Sequence, residues 1–157
     1  MILYWDASAI VKLIIREPGS DAARAWFDES NPFVTCRIAY AEVMAALGMA
    51  MRVGRLASED LPTAESALRH IWADTFVLEV AQVVVERAGQ LAIRHGLRGY
   101  DSVHLAAAVS HGDPARVPER PAVVTWDARL ADAALAEGLC IFGDRMQSPP
   151  SPLEDDG

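Results

Sequence analysis

The chain contains 157 residues, 52% hydrophobic and 23% charged, enough for one compact domain that buries roughly 70% of its unfolded surface without a covalent staple. Its net charge of −8 argues against broad electrostatic attachment to nucleic acid or to an anionic membrane. That charge still permits a nuclease acting through divalent cations, because bound ions reverse the local sign.

The first residues, Met-Ile-Leu-Tyr-Trp-Asp, carry neither a basic leader nor a signal-length apolar region, and apolar segments such as Ile38 to Met51 fall short of the ~20 residues of a membrane span. Cys36 and Cys140 show neither C-x-x-C nor zinc spacing, so buried, reduced thiols are expected. A soluble, cytoplasmic protein is the resulting expectation.

Taken in chain order, Ile2 to Trp5 predicts a strand ending at Asp6, and Ala7 to Ile14 predicts a helix through the spacing of Ile10, Val11, Leu13 and Ile14. Pro18-Gly19 breaks the chain before a short helix from Asp21 to Asp28 and a strand from Phe33 to Cys36. Arg37 to Arg52 and Leu61 to Trp72 predict helices, Phe76 to Val80 a strand, and Val83 to His95 a helix stopped by Gly96. After the turn Gly96-Leu97-Arg98-Gly99, a helix is expected from Asp101 to Ser110, then an exposed loop from Gly112 to Pro121. Ala122 to Trp126 reads as a strand, Asp127 to Glu137 as a helix closed by Gly138, and Leu139 to Phe142 as a strand. Such alternation predicts an α/β fold whose mainly parallel sheet is covered by helices on both faces. The proline-rich, acidic tail from Gln147 is expected to be disordered.

Ligands of an open parallel sheet bind beyond the carboxyl ends of its strands. Asp6 and Asp127 each follow an apolar run there; either alone reads as a helix cap, but their shared placement suggests a site. Glu42 is the only charge between Arg37 and Arg52, in a helix apolar on nearly every face. An ionised carboxylate there needs a metal, a cation or strong hydrogen bonds. Asp101 opens a further apolar helix, with His104 one turn on, read as a hydrogen-bonded core residue rather than a ligand. His70, His95 and His111 show no ligand spacing.

If Asp6, Glu42, Asp101 and Asp127 converge, two carboxylates ~4 Å apart repel by about 4 kcal/mol at an effective dielectric of 20. Divalent cations remove that repulsion, and an oxygen-only donor set suits Mg2+ or Mn2+ rather than zinc. Ser8 and Thr125, two residues from Asp6 and Asp127, could orient a carboxylate or serve as ordinary caps. Lys12, Arg16 and Arg98 could guide phosphates, with an exposed charged face as the default reading.

Together these segments resemble a known family. Tyr-Trp-Asp-Ala-Ser-Ala at the start, Ala-Glu-Val around Glu42, Tyr-Asp-Ser-Val-His-Leu-Ala-Ala-Ala around Asp101 and Val-Thr-Trp-Asp-Ala-Arg-Leu near the end resemble PIN-domain ribonucleases, most closely VapC-type toxins of bacterial toxin-antitoxin pairs. The resemblance implies a three-layer α/β/α PIN-like fold of about five strands, as a nuclease domain over residues 1–146 with a tail over 147–157. It implies hydrolysis of single-stranded or structured RNA by metal-activated water, with Asp6, Glu42, Asp101 and Asp127 as the catalytic, metal-binding acids and Ser8 and Thr125 as supporting hydroxyls. A cognate antitoxin and a homodimer are the implied partners. The loop from Gly112 to Pro121 looks longer than is usual in the family, and Asp132 competes with Asp127 for the last acidic position. Rival readings are a catalytically weak binding partner and an aspartyl-phosphate enzyme. The latter expects a second acid where Ser8 stands, or a late lysine where the chain has none beyond Lys12.

Overall fold

The computed structural model describes residues 2–29, 33–111 and 121–144. Of the loop expected from Gly112 to Pro121, all but Pro121 lies outside the described residues, as does the expected tail. Five strands, β1 (Leu3–Trp5), β2 (Phe33–Cys36), β3 (Phe76–Leu78), β4 (Ala122–Val124) and β5 (Ile141–Phe142), form one sheet. Its order is β3-β2-β1-β4-β5, and every pairing is parallel.

Successive side chains of a strand point to opposite faces, and the core divides accordingly. Tyr4, Val34, Cys36, Val123 and Ile141 face one hydrophobic layer, covered by α5 (Gln82–His95), α6 (Gly99–His111) and α7 (Ala128–Ala136). Leu3, Trp5, Phe33, Ala122 and Val124 face the other, covered by α1 (Ala7–Ile14), α2 (Ser20–Glu29), α3 (Ala39–Arg52) and α4 (Leu61–Ala73). The result is the α/β/α sandwich that the unbroken apolar strands predict. Both faces are buried, so a strand needs no polar alternation.

Local signals act as expected at several ends. Gly96 closes α5 in the left-handed region, at φ 63, where a residue without Cβ pays no steric penalty. The second strand has the predicted bounds, Phe33–Cys36, whereas the other four are shorter than predicted, the third ending at Leu78 and the fifth starting at Ile141. A 3-10 turn over Ser58–Asp60, unmarked in the sequence reading, precedes α4. The helix predicted from Asp101 starts at Gly99, so Asp101 sits inside its first turn. Among the described residues no helix is long and apolar enough to cross a membrane.

Because β1 is flanked by β2 on one side and β4 on the other, the connections diverge between β1 and β4. A crevice opens beyond the strand ends at such a switch point. Asp6 follows β1 there, and Thr125, Trp126 and Asp127 follow β4.

Candidate active site

Asp6 is 4% exposed. It caps α1 by accepting a hydrogen bond from the Ala9 N–H at 2.8 Å. Thr125 Oγ1 donates to Asp6 Oδ2 at 2.6 Å, and Ser8 Oγ donates to the same carboxylate at 2.8 and 2.9 Å. Each hydroxyl also accepts a backbone N–H from the β4 end, Trp126 to Ser8 and Asp127 to Thr125, both at 3.0 Å. Thr125 therefore ties the Asp6 carboxylate to the backbone of Asp127. Burial raises the Asp6 pKa, and the positive charge of His104 with the Thr125, Ala9 and Ser8 hydrogen bonds opposes that rise.

Asp127 is the N-cap of α7, where its Oδ1 accepts from the Arg129 and Leu130 N–H groups. The capping reading thus holds, and Oδ2 remains for other work. It accepts from Arg98 Nη2 at 2.9 Å. The same guanidinium donates from Nε to Asp101 Oδ2 at 2.7 Å. Arg98 stands outside α6, so its side chain reaches both carboxylates across the mouth of the crevice. The carboxylates of Asp101 and Asp127 hold the guanidinium pKa above its ordinary value, with a smaller contribution from Glu42. Glu42, Arg98, Gly99, Tyr100 and Asp101 line a cleft of about 400 Å³.

Glu42 lies in the first turn of α3. Its partner is His104, whose Nε2 donates to Glu42 Oε2 at 2.6 Å. The other ring nitrogen, Nδ1, is 2.9 Å from the Tyr4 hydroxyl and 3.5 Å from Cys36 Sγ. Burial opposes a charged imidazole, yet the hydrogen bonds and charges of Cys36 and Glu42 push the His104 pKa up to about 10. His104 is the hydrogen-bonded core residue expected, and the structure adds its tie to Glu42. Each is an ionisable side chain flanked by apolar residues in its helix, which is the signal that could have paired them.

Asp132 is exposed on α7, where it lines a separate cavity of about 160 Å³ with Thr125, Asp127, Leu135 and Asp144, among others. Asp127 rather than Asp132 shares Arg98 with Asp101. In the sequence Arg98 reads as an exposed surface charge by default, with phosphate guiding as the alternative. Its position three residues before Asp101, in a glycine-flanked turn, marks it in retrospect.

Among the described residues, no three His, Cys, Asp or Glu side chains are grouped so as to hold a metal ion directly. The donor chemistry nevertheless fits a hard cation: Asp101 and Asp127 already converge on one positive group, the Arg98 guanidinium. Oxygen-only donors of this kind favour Mg2+ or Mn2+.

The PIN domain profile matches residues 3–135. Ribonuclease VapC45 of Mycobacterium tuberculosis is 43% identical over 137 residues, covering 87% of this chain and 92% of its own. Among solved structures, Mycobacterium tuberculosis VapC20, a sarcin-ricin loop cleaving toxin, superposes with a TM-score of 0.63 at 17% identity over 83% of this chain and 94% of its own. A toxin-antitoxin complex from Klebsiella pneumoniae gives a TM-score of 0.56 at 20% identity, over 81% and 87% of the two chains. The chain belongs to the PIN-domain family and resembles, within it, the VapC ribonucleases.

Proposed function

We propose that this chain is the toxin of a toxin-antitoxin pair, a divalent-metal-dependent endoribonuclease that hydrolyses single-stranded or structured RNA at the edge formed by Asp6, Glu42, Asp101 and Asp127. The relationship to the VapC ribonucleases supports the activity. The observation that carries the site is the Arg98 guanidinium shared by Asp101 and Asp127 beside the cleft that Glu42 lines.

In this reading Asp6, Glu42, Asp101 and Asp127 hold Mg2+ or Mn2+, which when bound polarises the phosphodiester and activates water. Ser8 and Thr125 fix the Asp6 carboxylate, and His104 fixes that of Glu42. Asp127 serves two roles, one oxygen capping α7 and the other facing Arg98. No protein nucleophile is required. A cognate antitoxin and a second copy of the chain are the partners in this reading.

The test is RNA cleavage by purified, antitoxin-free protein with Mn2+, with EDTA, and after Asp6→Asn or Asp101→Asn. Cleavage should require the cation and fall sharply in both variants. Cleavage that persists in both variants would sink the assigned chemistry.

A further inference from the structure

Arg98 is 69% exposed, whereas the side chains it joins are far less so, at 14% for Asp101 and 25% for Asp127. An exposed arginine paired with one acid is ordinary surface chemistry and contributes little. Here one guanidinium bridges two acids from different helices, Asp101 in the first turn of α6 and Asp127 at the cap of α7. It also lines the cleft beside Glu42. The oxygens it occupies, Asp101 Oδ2 and Asp127 Oδ2, belong to the two acids assigned to the ion.

We propose that Arg98 is a built-in counter-cation for the Asp101–Asp127 pair: it holds the two carboxylates together when no ion is bound, competes with the ion for their oxygens, and once displaced offers its guanidinium to a substrate phosphate. This inference rests on reading Asp101 and Asp127 as metal ligands. Two like charges brought to one point repel unless a cation lies between them, and the guanidinium supplies that charge from within the chain. A divalent ion carries twice the charge and replaces it. Because the arginine is tethered one turn from Asp101 and largely exposed, release turns it into the cleft rather than away from it. Arginine is the side chain suited to forked contact with phosphate oxygens.

The experiment is calorimetric titration of Mn2+ into metal-free wild type, Arg98→Gln, Arg98→Lys and Asp101→Asn, with KM for a single-stranded RNA at saturating Mn2+. Arg98→Gln should bind Mn2+ about twofold to fivefold more tightly, the scale of an exposed ion pair released. Its KM for RNA should rise by at least a similar factor. Arg98→Lys, which keeps the charge and guards against misfolding of the glutamine variant, should lie between the two. Mn2+ affinity that is unchanged or weaker in both Arg98 variants overturns the competition, and an unchanged KM overturns the phosphate contact. If Asp101→Asn also binds Mn2+ as wild type does, the ligand assignment has failed and the inference falls with it.

Discussion

His104 Nε2 lies 2.6 Å from Glu42 Oε2, so the only charged side chain of α3 before its last residue, Arg52, is oriented by a buried histidine from the helix layer on the opposite face of the sheet. Tyr4, on the central strand between those layers, holds the far side of the ring. Removing one member of a buried ionic pair leaves the other uncompensated. His104→Ala should therefore cost about 3–5 kcal/mol, while His104→Gln, which keeps a donor toward Glu42, should retain more stability and part of the cleavage activity.

The same pair predicts a pH dependence. The folded-state pKa of His104 is raised from 6.5 to about 10, so its contribution to stability is complete below about pH 6.5 and is lost progressively as pH rises toward 10. Thermal melts of wild type and His104→Gln should converge across that window. A constant gap between them from pH 7 to 10 would contradict a charged imidazole at this position.

The Asp6 pKa is also raised, which for an acid has the opposite consequence for stability. Burial raises its pKa, so the ionised form at neutral pH costs stability that is recovered as pH falls through the raised folded value. Asp6→Asn should melt above wild type at pH 7 and lose more than about 100-fold in cleavage. The Tm advantage should shrink toward acid pH. A variant less stable than wild type at pH 7 would show that the Ser8, Thr125 and Ala9 hydrogen bonds outweigh burial.

Gly143 lies against the strand end that carries Thr125. A Cβ placed there would stand 2.2 Å from the Thr125 carbonyl oxygen, so Gly143→Ala must move backbone and should cost about 1–3 kcal/mol. Because Thr125 Oγ1 holds Asp6, cleavage should fall as well, and Thr125→Val should reproduce the activity loss with a smaller loss of stability. Normal cleavage in Thr125→Val would remove the hydroxyl from the site.

Glu137 provides a stability test remote from catalysis. Its carboxylate, 11% exposed, meets Arg94 and His95 of α5 at 2.8 Å each. Burial would raise its pKa, but these partners hold it below the ordinary carboxylate value. Its contribution is therefore present above pH 4.5 and lost as pH falls through the lowered folded value. Glu137→Gln should cost about 1–3 kcal/mol at pH 7 and leave Mn2+ affinity unchanged. Altered Mn2+ binding would mean that the α5–α7 contact reaches the site.

Much of this protein is legible without coordinates. The apolar runs, the helical spacing of α1, the Gly96 stop and the placement of Asp6 and Asp127 after strands all reflect interactions among neighbours in the chain, which periodicity and capping express directly. The isolation of Glu42 in an apolar helix announces that it has a partner, and the motifs around the four acids point to the family. The identity of that partner does not follow, because His104 is 62 residues away and is selected by the packing of helices on both faces of the sheet. Likewise, the placing of β1 beside β4, the Thr125 bond to Asp6 across 119 residues and the sharing of Arg98 by Asp101 and Asp127 depend on strand order. Local sequence specifies which side chains carry charge and which segments turn; only the closed tertiary structure decides which charges meet, since that choice rests on long-range packing and on desolvation that no short window of sequence contains.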